Sequence, residues 1–278
     1  MDAPGGSEMT AQGRALAGRH VIVAGASRGI GAAIAVMLAG RGCVLTLLGR
    51  DRERLEGVVR SAHAAGATSC RMFAVDLTDD AAVSVLAKQW EESPVPYGLV
   101  NCAGAADSSP FLATGDDVWR RMLDVNLMTA VHCTRAVLPA LLRAGDGRIV
   151  NVASTAGLTG YRYVSAYTAA KHAVVGLTRS LAVEVARGGI TVNAVCPGYT
   201  DTEMLNESAV RVSARTGKGV AEVRAAYAAA NPQGRLITPG EVARTVVWLC
   251  EPAQSAVTGQ TITVDGVSML QGEHGHES

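Results

Sequence analysis

The sequence predicts an α/β fold, a single domain built on a doubly wound parallel sheet of about seven strands with helices on both faces. Three observations predict it. Short β-branched apolar runs alternate with longer helical stretches along the whole chain. Those runs are nearly continuous in apolar residues, as in parallel strands covered on both sides. No internal repeat, low-complexity linker or break in composition divides the 278 residues, a length that suits one large α/β domain with an ample core. Such alternation winds through right-handed crossovers.

Residues 1–17 lack an apolar signal core and read as a flexible leader. The domain is expected over 18–270. Residues 271–278 form a tail whose His274 and His276 read as solvated groups, not a metal site. Strands are predicted at HVIVA (20–24), CVLTLL (43–48), CRMFAV (70–75), YGLVNC (97–102), GRIVNVA (147–153), ITVNAVC (190–196) and TGQTITV (258–264). Helical patterns lie near 29–41, 52–65, 79–92, 116–143, 165–187 and 239–250. Residues 203–235 break the alternation, being polar, Ala-rich and weakly periodic. A long insertion after the C-terminal end of a strand is where an open α/β sheet gathers ligand contacts. The segment therefore reads as a helical lid over substrate, with a surface helical hairpin as the plain alternative.

Composition excludes several function classes. Apolar residues make up 48% and charged residues 18%, a globular balance. Lys+Arg and Asp+Glu are 25 each, so charge gives no reason to expect nucleic acid or an anionic membrane as partner. Aromatics at 4% are too few for base-stacking platforms. No segment reaches the roughly 18 uninterrupted apolar residues of a membrane span. The six cysteines sit mostly in apolar runs without CxxC-type spacing. They read as reduced core residues of a cytoplasmic protein, neither disulfides nor metal ligands.

The first strand passes into Gly25-Ala26-Ser27-Arg28-Gly29-Ile30-Gly31 and then an apolar helix. Glycines let the backbone turn tightly and approach a pyrophosphate, which the free N–H groups and positive end of the helix then hold. At the first strand–helix turn of an α/β chain, this predicts a dinucleotide site of the Rossmann type. The second strand ends LTLLGRDRER, placing Gly49 where an NAD binder presents an acid, with Arg50 next and Arg28 within reach. Two guanidiniums and no carboxylate suit a 2′-phosphate, so the expected cofactor is NADP(H). NAD(H) is the alternative, should Asp51 reach the ribose.

In SAYTAAKHAVVG, Tyr167 and Lys171 stand four residues apart and so share one face of a helix. A free phenol has a pKa of about 10. A neighbouring ammonium favours the phenolate and would bring it into range for acid–base work. Upstream, GRIVNVASTAGL is a strand ending at Ser154. AGASRGIG, VNCAG, NVAS and YTAAK together resemble the short-chain dehydrogenase/reductase family, over roughly residues 18–268.

That resemblance implies roles. Ser154 hydrogen-bonds the substrate oxygen, Tyr167 exchanges a proton with it, and Lys171 binds the nicotinamide ribose and lowers the tyrosine pKa. Asn126, in MLDVNLMTA, holds a water in a proton relay to the lysine. Asn101, Ala103 and Gly104 line the cofactor, with a partly structural role. Asp76 and Leu77 match the adenine contact, with a helix cap as the structural role of Asp76. Pro197, Gly198, Thr200 and Thr202 hold the nicotinamide carboxamide. Three departures, Ala24 for threonine, Cys102 for a second asparagine and VDGV at 264–267 for VDGG, remove no catalytic group. The family's four-helix interface implies a homodimer or homotetramer.

The expected activity is NADP(H)-dependent interconversion of a ketone and a secondary alcohol. The segment around Tyr167 is similar to 3-oxoacyl-thioester reductases and aromatic-polyketide ketoreductases, making an acetoacetyl-CoA-like 3-oxoacyl-CoA the leading substrate. Arg162, Arg211, Arg215 and Lys218 are candidates to meet a CoA or carrier phosphate, or else are solvated lid charges. NAD-dependent oxidation of a 3-hydroxyacyl-CoA or cyclic alcohol is the alternative. A non-catalytic cofactor-binding regulator is the third, and the intact Ser154, Tyr167, Lys171 and Asn126 set argues against it.

Overall fold

The structure is a computed structural model, in which residues 15–91 and 95–267 are described. Most of the expected leader and all of the expected tail lie outside them. Seven parallel strands form one sheet: β1 (His20–Ala24), β2 (Val44–Gly49), β3 (Ser69–Ala74), β4 (Pro96–Asn101), β5 (Gly147–Val152), β6 (Ile190–Pro197) and β7 (Thr261–Val264), in the order β3-β2-β1-β4-β5-β6-β7. Six strands fall within one residue of their predicted bounds. β7 starts three residues late: ahead of it the Thr258 hydroxyl accepts from Val192 N at 3.1 Å, a side-chain bond in place of a backbone one, and regular pairing begins at Thr261.

Side chains alternate across the pleat. Val21 and Val23 enter one core with Ile34 and Leu38 of α1 (Gly29–Ala39), Leu55 of α2 (Arg52–Ala65) and Val246 of α9 (Pro239–Cys250). Ile22 and Ala24 enter the other, with Val83 of α3 (Asp80–Glu91), Val137 of α5 (Thr129–Ala144) and Leu181 of α6 (Ser165–Val185). Every β1 side chain is buried. Burial stabilises by about 1.5–3 kcal/mol per large apolar side chain. Both faces are therefore committed, which is why these strands read as continuous apolar runs. The chain winds outward from β1 through β2 to β3, then returns to β4 on the other side of β1. This reversal leaves a crevice at the C-terminal ends of the strands.

One predicted helix divides. The 116–143 pattern folds as α4 (Asp116–Leu123), a π-helical turn over Asp124–Met128, and α5. By length and composition the 116–144 run would pass for a membrane span. Here it is interrupted by the π turn and packs α5 against β4 and α3, as a core helix does. The 203–235 insertion folds as α7 (Glu203–Thr216) and α8 (Val220–Ala229).

Candidate active site

A cleft of about 980 Å³ opens at the C-terminal ends of the central strands and is bounded by α7 and α8. Every residue predicted for catalysis or cofactor binding lines it except one. Asn101 lies just behind the cleft wall, in the structural part of its expected role. Its side chain lies within the sheet, donating to Asn151 Oδ1 at 2.8 Å and Thr134 Oγ1 at 3.2 Å, and so braces β4 against β5 and α5.

The glycine loop has the form a pyrophosphate needs. Gly25 has φ +86°, and a Cβ there would lie 2.5 Å from the Ala103 nitrogen. A Cβ on Gly31 would lie 2.1 Å from the Gly25 carbonyl oxygen. The loop therefore closes onto the end of β4 and onto the start of α1 with no room for side chains. Asp51 caps α2, Thr202 caps α7 and Thr238 caps α9 by accepting backbone N–H bonds. α1 has no such side-chain cap and no acid in its first turn. Its first N–H groups and positive end face the cleft, which suits a phosphate.

At the adenosine end, Gly49 and Arg50 line the cleft, and Arg50 is exposed. Asp51 is occupied elsewhere: it accepts from Arg54 N at 3.0 Å and pairs with Arg54 Nε at 3.1 Å. Asp76 accepts from the Thr78 backbone at 3.0 Å and hydroxyl at 2.8 Å, which hold its carboxyl below the usual range, with help from Arg50. The neighbouring helix is capped not by Asp76 but by Asp79, which accepts from Ala82 N.

At the other end, Ser154 closes β5 and its Oγ accepts from Ala156 N at 3.1 Å. The turn that follows lies directly on α6: a Cβ on Gly157 would sit 2.8 Å from the Lys171 carbonyl oxygen. That contact fixes Ser154 against the helix bearing Tyr167 and Lys171. The buried Lys171 Nζ donates to the Val152 carbonyl at 3.0 Å and lies 5.8 Å from the Tyr167 ring centre. Burial lowers its pKa to about 8. Tyr167 differs from expectation. Burial raises its phenol above the ordinary value, and the group opposing this is Ser154, not the lysine. Asn126 falls in the π turn. Its amide donates to the Ala105 carbonyl at 2.9 Å and the Met122 carbonyl at 3.0 Å, pinning the segment after β4 beside Lys171.

α7 carries Glu203, Glu207, Arg211 and Arg215 at four-residue spacing, one stripe along the helix. The acids pair with Arg28 and Arg54; the guanidiniums donate to the carbonyls of Ala106 and Ser108. Arg28 is thus engaged by α7, leaving Arg50, among the described residues, as the guanidinium available at the ribose end. The sequence reading passed over Tyr161, Tyr163, Tyr199 and Tyr227, which also line the cleft. The available signal was their place: each lies in a segment following the C-terminal end of a strand.

The family model described as enoyl-(acyl carrier protein) reductase matches residues 25–266. A cis-4-hydroxycyclohexanecarboxylate dehydrogenase of Sinomonas cyclohexanicum is 38% identical over 260 residues, covering 91% of this chain and 98% of that protein. The chain is a short-chain dehydrogenase/reductase. The 3-oxoacyl-[acyl-carrier-protein] reductase of Vibrio harveyi is 34% identical, over 90% of this chain and 97% of the relative. A crystal structure of a variant actinorhodin polyketide ketoreductase with NADPH superposes with a TM-score of 0.86 at 34% identity, covering 90% of this chain and 97% of that one. This short-chain dehydrogenase/reductase is accordingly an oxidoreductase of CH–OH groups and their ketones, acting on a small molecule with a nicotinamide cofactor.

Proposed function

We propose that this enzyme is an NADP(H)-dependent reductase of 3-oxoacyl thioesters and related β-ketones, with acetoacetyl-CoA as the simplest member. The observation that carries the reading is the convergence of Ser154, Tyr167 and Lys171 on one cleft with the uncapped α1 and its glycine loop. A bound nicotinamide supplies the hydride that reaches the carbonyl carbon. The chain does the rest. Tyr167 gives its phenolic proton to the carbonyl oxygen, and Ser154 donates a hydrogen bond to the same oxygen as charge develops there. Burial keeps the phenol protonated, as a proton donor requires. Lys171 holds the ribose hydroxyls and favours the phenolate left behind. Asn126 keeps the 104–106 segment beside Lys171, where a held water returns the proton. Pro197, Gly198, Thr200 and Thr202 receive the carboxamide, and α7 with α8 forms the lid. The outward faces of α5 and α6, where Leu142 is 47% and Val183 is 82% exposed, meet a second copy.

Two facts favour NADP(H): Asp51 is committed to capping α2 and to Arg54, and Arg50 faces the cleft with no carboxylate of β2 beside it. The solved relative with NADPH and the 3-oxoacyl-[acyl-carrier-protein] reductase support cofactor and substrate respectively. Acetoacetyl-CoA reduction, followed with NADPH and NADH side by side, tests the reading; preference for NADH overturns the cofactor assignment. Arg50→Ala should raise the KM for NADPH by about 10–100-fold, as expected for a charged hydrogen bond to phosphate. The KM for NADH should change less than about threefold. Equal losses would mean that Arg50 does not read the 2′-phosphate.

A further inference from the structure

The chain is poor in aromatics, yet of its six tyrosines Tyr161, Tyr163, Tyr167, Tyr199 and Tyr227 line this cleft, and Tyr97 alone lies elsewhere. They are arranged, not scattered. Tyr199 and Tyr227 stack with centroids 4.8 Å apart and planes 12° from parallel. Tyr161 meets Tyr199 edge-on at 6.4 Å and lies close enough to influence the Tyr167 phenol. The stack thus leads outward from the proposed proton donor.

Two hydroxyls of the wall are spoken for. Tyr161 donates to Thr155 Oγ1 at 2.9 Å, and Tyr227 shares a hydrogen bond with Ser208 at 3.2 Å. Those bonds fix ring orientation, so the rings offer their faces and edges more than hydrogen-bonding tips. Three chain segments contribute: the loop after β5, the turn after β6, and α8. At the mouth, Tyr163 holds a left-handed backbone at φ 67° and is 55% exposed. That conformation is disfavoured for a bulky residue. It is held by a 2.7 Å hydrogen bond from Ser109 N to the Tyr163 carbonyl. Of the candidates to meet a CoA phosphate, Arg211 and Arg215 are tied to the Ala106 and Ser108 carbonyls.

Building on the ketone-reductase reading, we propose that the natural substrate carries its keto carbon in, or directly attached to, a ring, which lies against the Tyr161–Tyr199–Tyr227 wall. A linear acyl chain gains nothing from ordered aromatic faces beyond apolar contact. A ring gains offset-stacked or edge-to-face packing on top of its burial.

Three β-ketoesters isolate the ring: ethyl acetoacetate, ethyl benzoylacetate and ethyl 2-oxocyclohexanecarboxylate, each reduced with NADPH. Intrinsic reactivities differ, so the quantity read is the ratio of kcat/KM for ring over linear substrate, compared between wild type and variants. Tyr199→Leu and Tyr227→Leu are each expected to lower that ratio by up to about tenfold, mainly through KM. Tyr199→Phe, which keeps the ring, should retain the wild-type ratio. Ratios unchanged by both leucine variants would overturn the proposal while leaving the reductase reading intact. Absence of turnover of all three esters by wild-type protein that binds NADPH, seen by nicotinamide fluorescence, would overturn both.

Discussion

Tyr167→Phe is expected to reduce kcat for ketone reduction by about a thousandfold, within the range that positioned acid–base groups contribute, while the Kd for NADPH changes less than about threefold. The substitution removes one oxygen and keeps the ring that packs near Lys171. The glycine loop, the uncapped start of α1 and Arg50 are untouched. Cofactor affinity therefore stays, and the loss appears as chemistry. Titration of NADPH by fluorescence and single-turnover kinetics read the two quantities separately. A near-normal rate in the variant would mean that the proton comes from another group. The wild-type pH profile is a further check. The phenol sits above its ordinary value of 10.0, so it stays protonated from pH 6 to 9. Reduction should accordingly show no limb from Tyr167 in that interval.

The sheet was legible because both of its faces are buried. Runs such as HVIVA and ITVNAVC are mostly apolar, their few polar residues His20, Thr191 and Asn193 are buried with the rest, and that pattern survives small boundary errors. Loop glycines were legible for a related reason: contacts of 2.5 Å and 2.1 Å to a hypothetical Cβ permit no other residue. The π turn at Asn126 was not legible. An extra residue per turn leaves the apolar pattern of 116–143 continuous, because α4 and α5 both pack inward. The partners of Asn101 were not legible either. It ends a strand pointing at the cleft, but its side-chain direction is set by Asn151 and Thr134 on neighbouring elements, far away in sequence. The tyrosine wall is of the same kind: Tyr161, Tyr199 and Tyr227 meet only through the fold. The burial of the phenol was not legible either. Four-residue spacing does bring Tyr167 and Lys171 to one face, with Nζ 5.8 Å from the ring centre, yet burial by distant elements raises the phenol.

Lys171→Met separates function from stability. The ammonium is buried with one hydrogen bond, to the Val152 carbonyl, and burial lowers its pKa from 10.5 to about 8. Removing it should cut kcat/KM for NADPH by about 100–1,000-fold, since a preorganised charge in a dry site is worth this much. In wild type the same group sets an alkaline limb: below about pH 8 the lysine is charged, and above it kcat/KM for NADPH falls as the charge is lost. That limb should vanish in the variant. Stability moves the other way. Between pH 8 and 10.5 the unfolded chain binds the lysine proton more tightly than the folded one, so Lys171 makes wild-type stability rise with pH across that window. Below it the folded protein bears a constant desolvation cost, about 3 kcal/mol from the lowered pKa. Methionine removes that cost and forfeits a hydrogen bond worth about 1 kcal/mol. The variant should therefore unfold at higher urea concentration than wild type at pH 7, and the gap should narrow as pH approaches 10.5. A variant less stable than wild type at pH 7 would mean that the buried ammonium helps to hold the fold together as well as the cofactor.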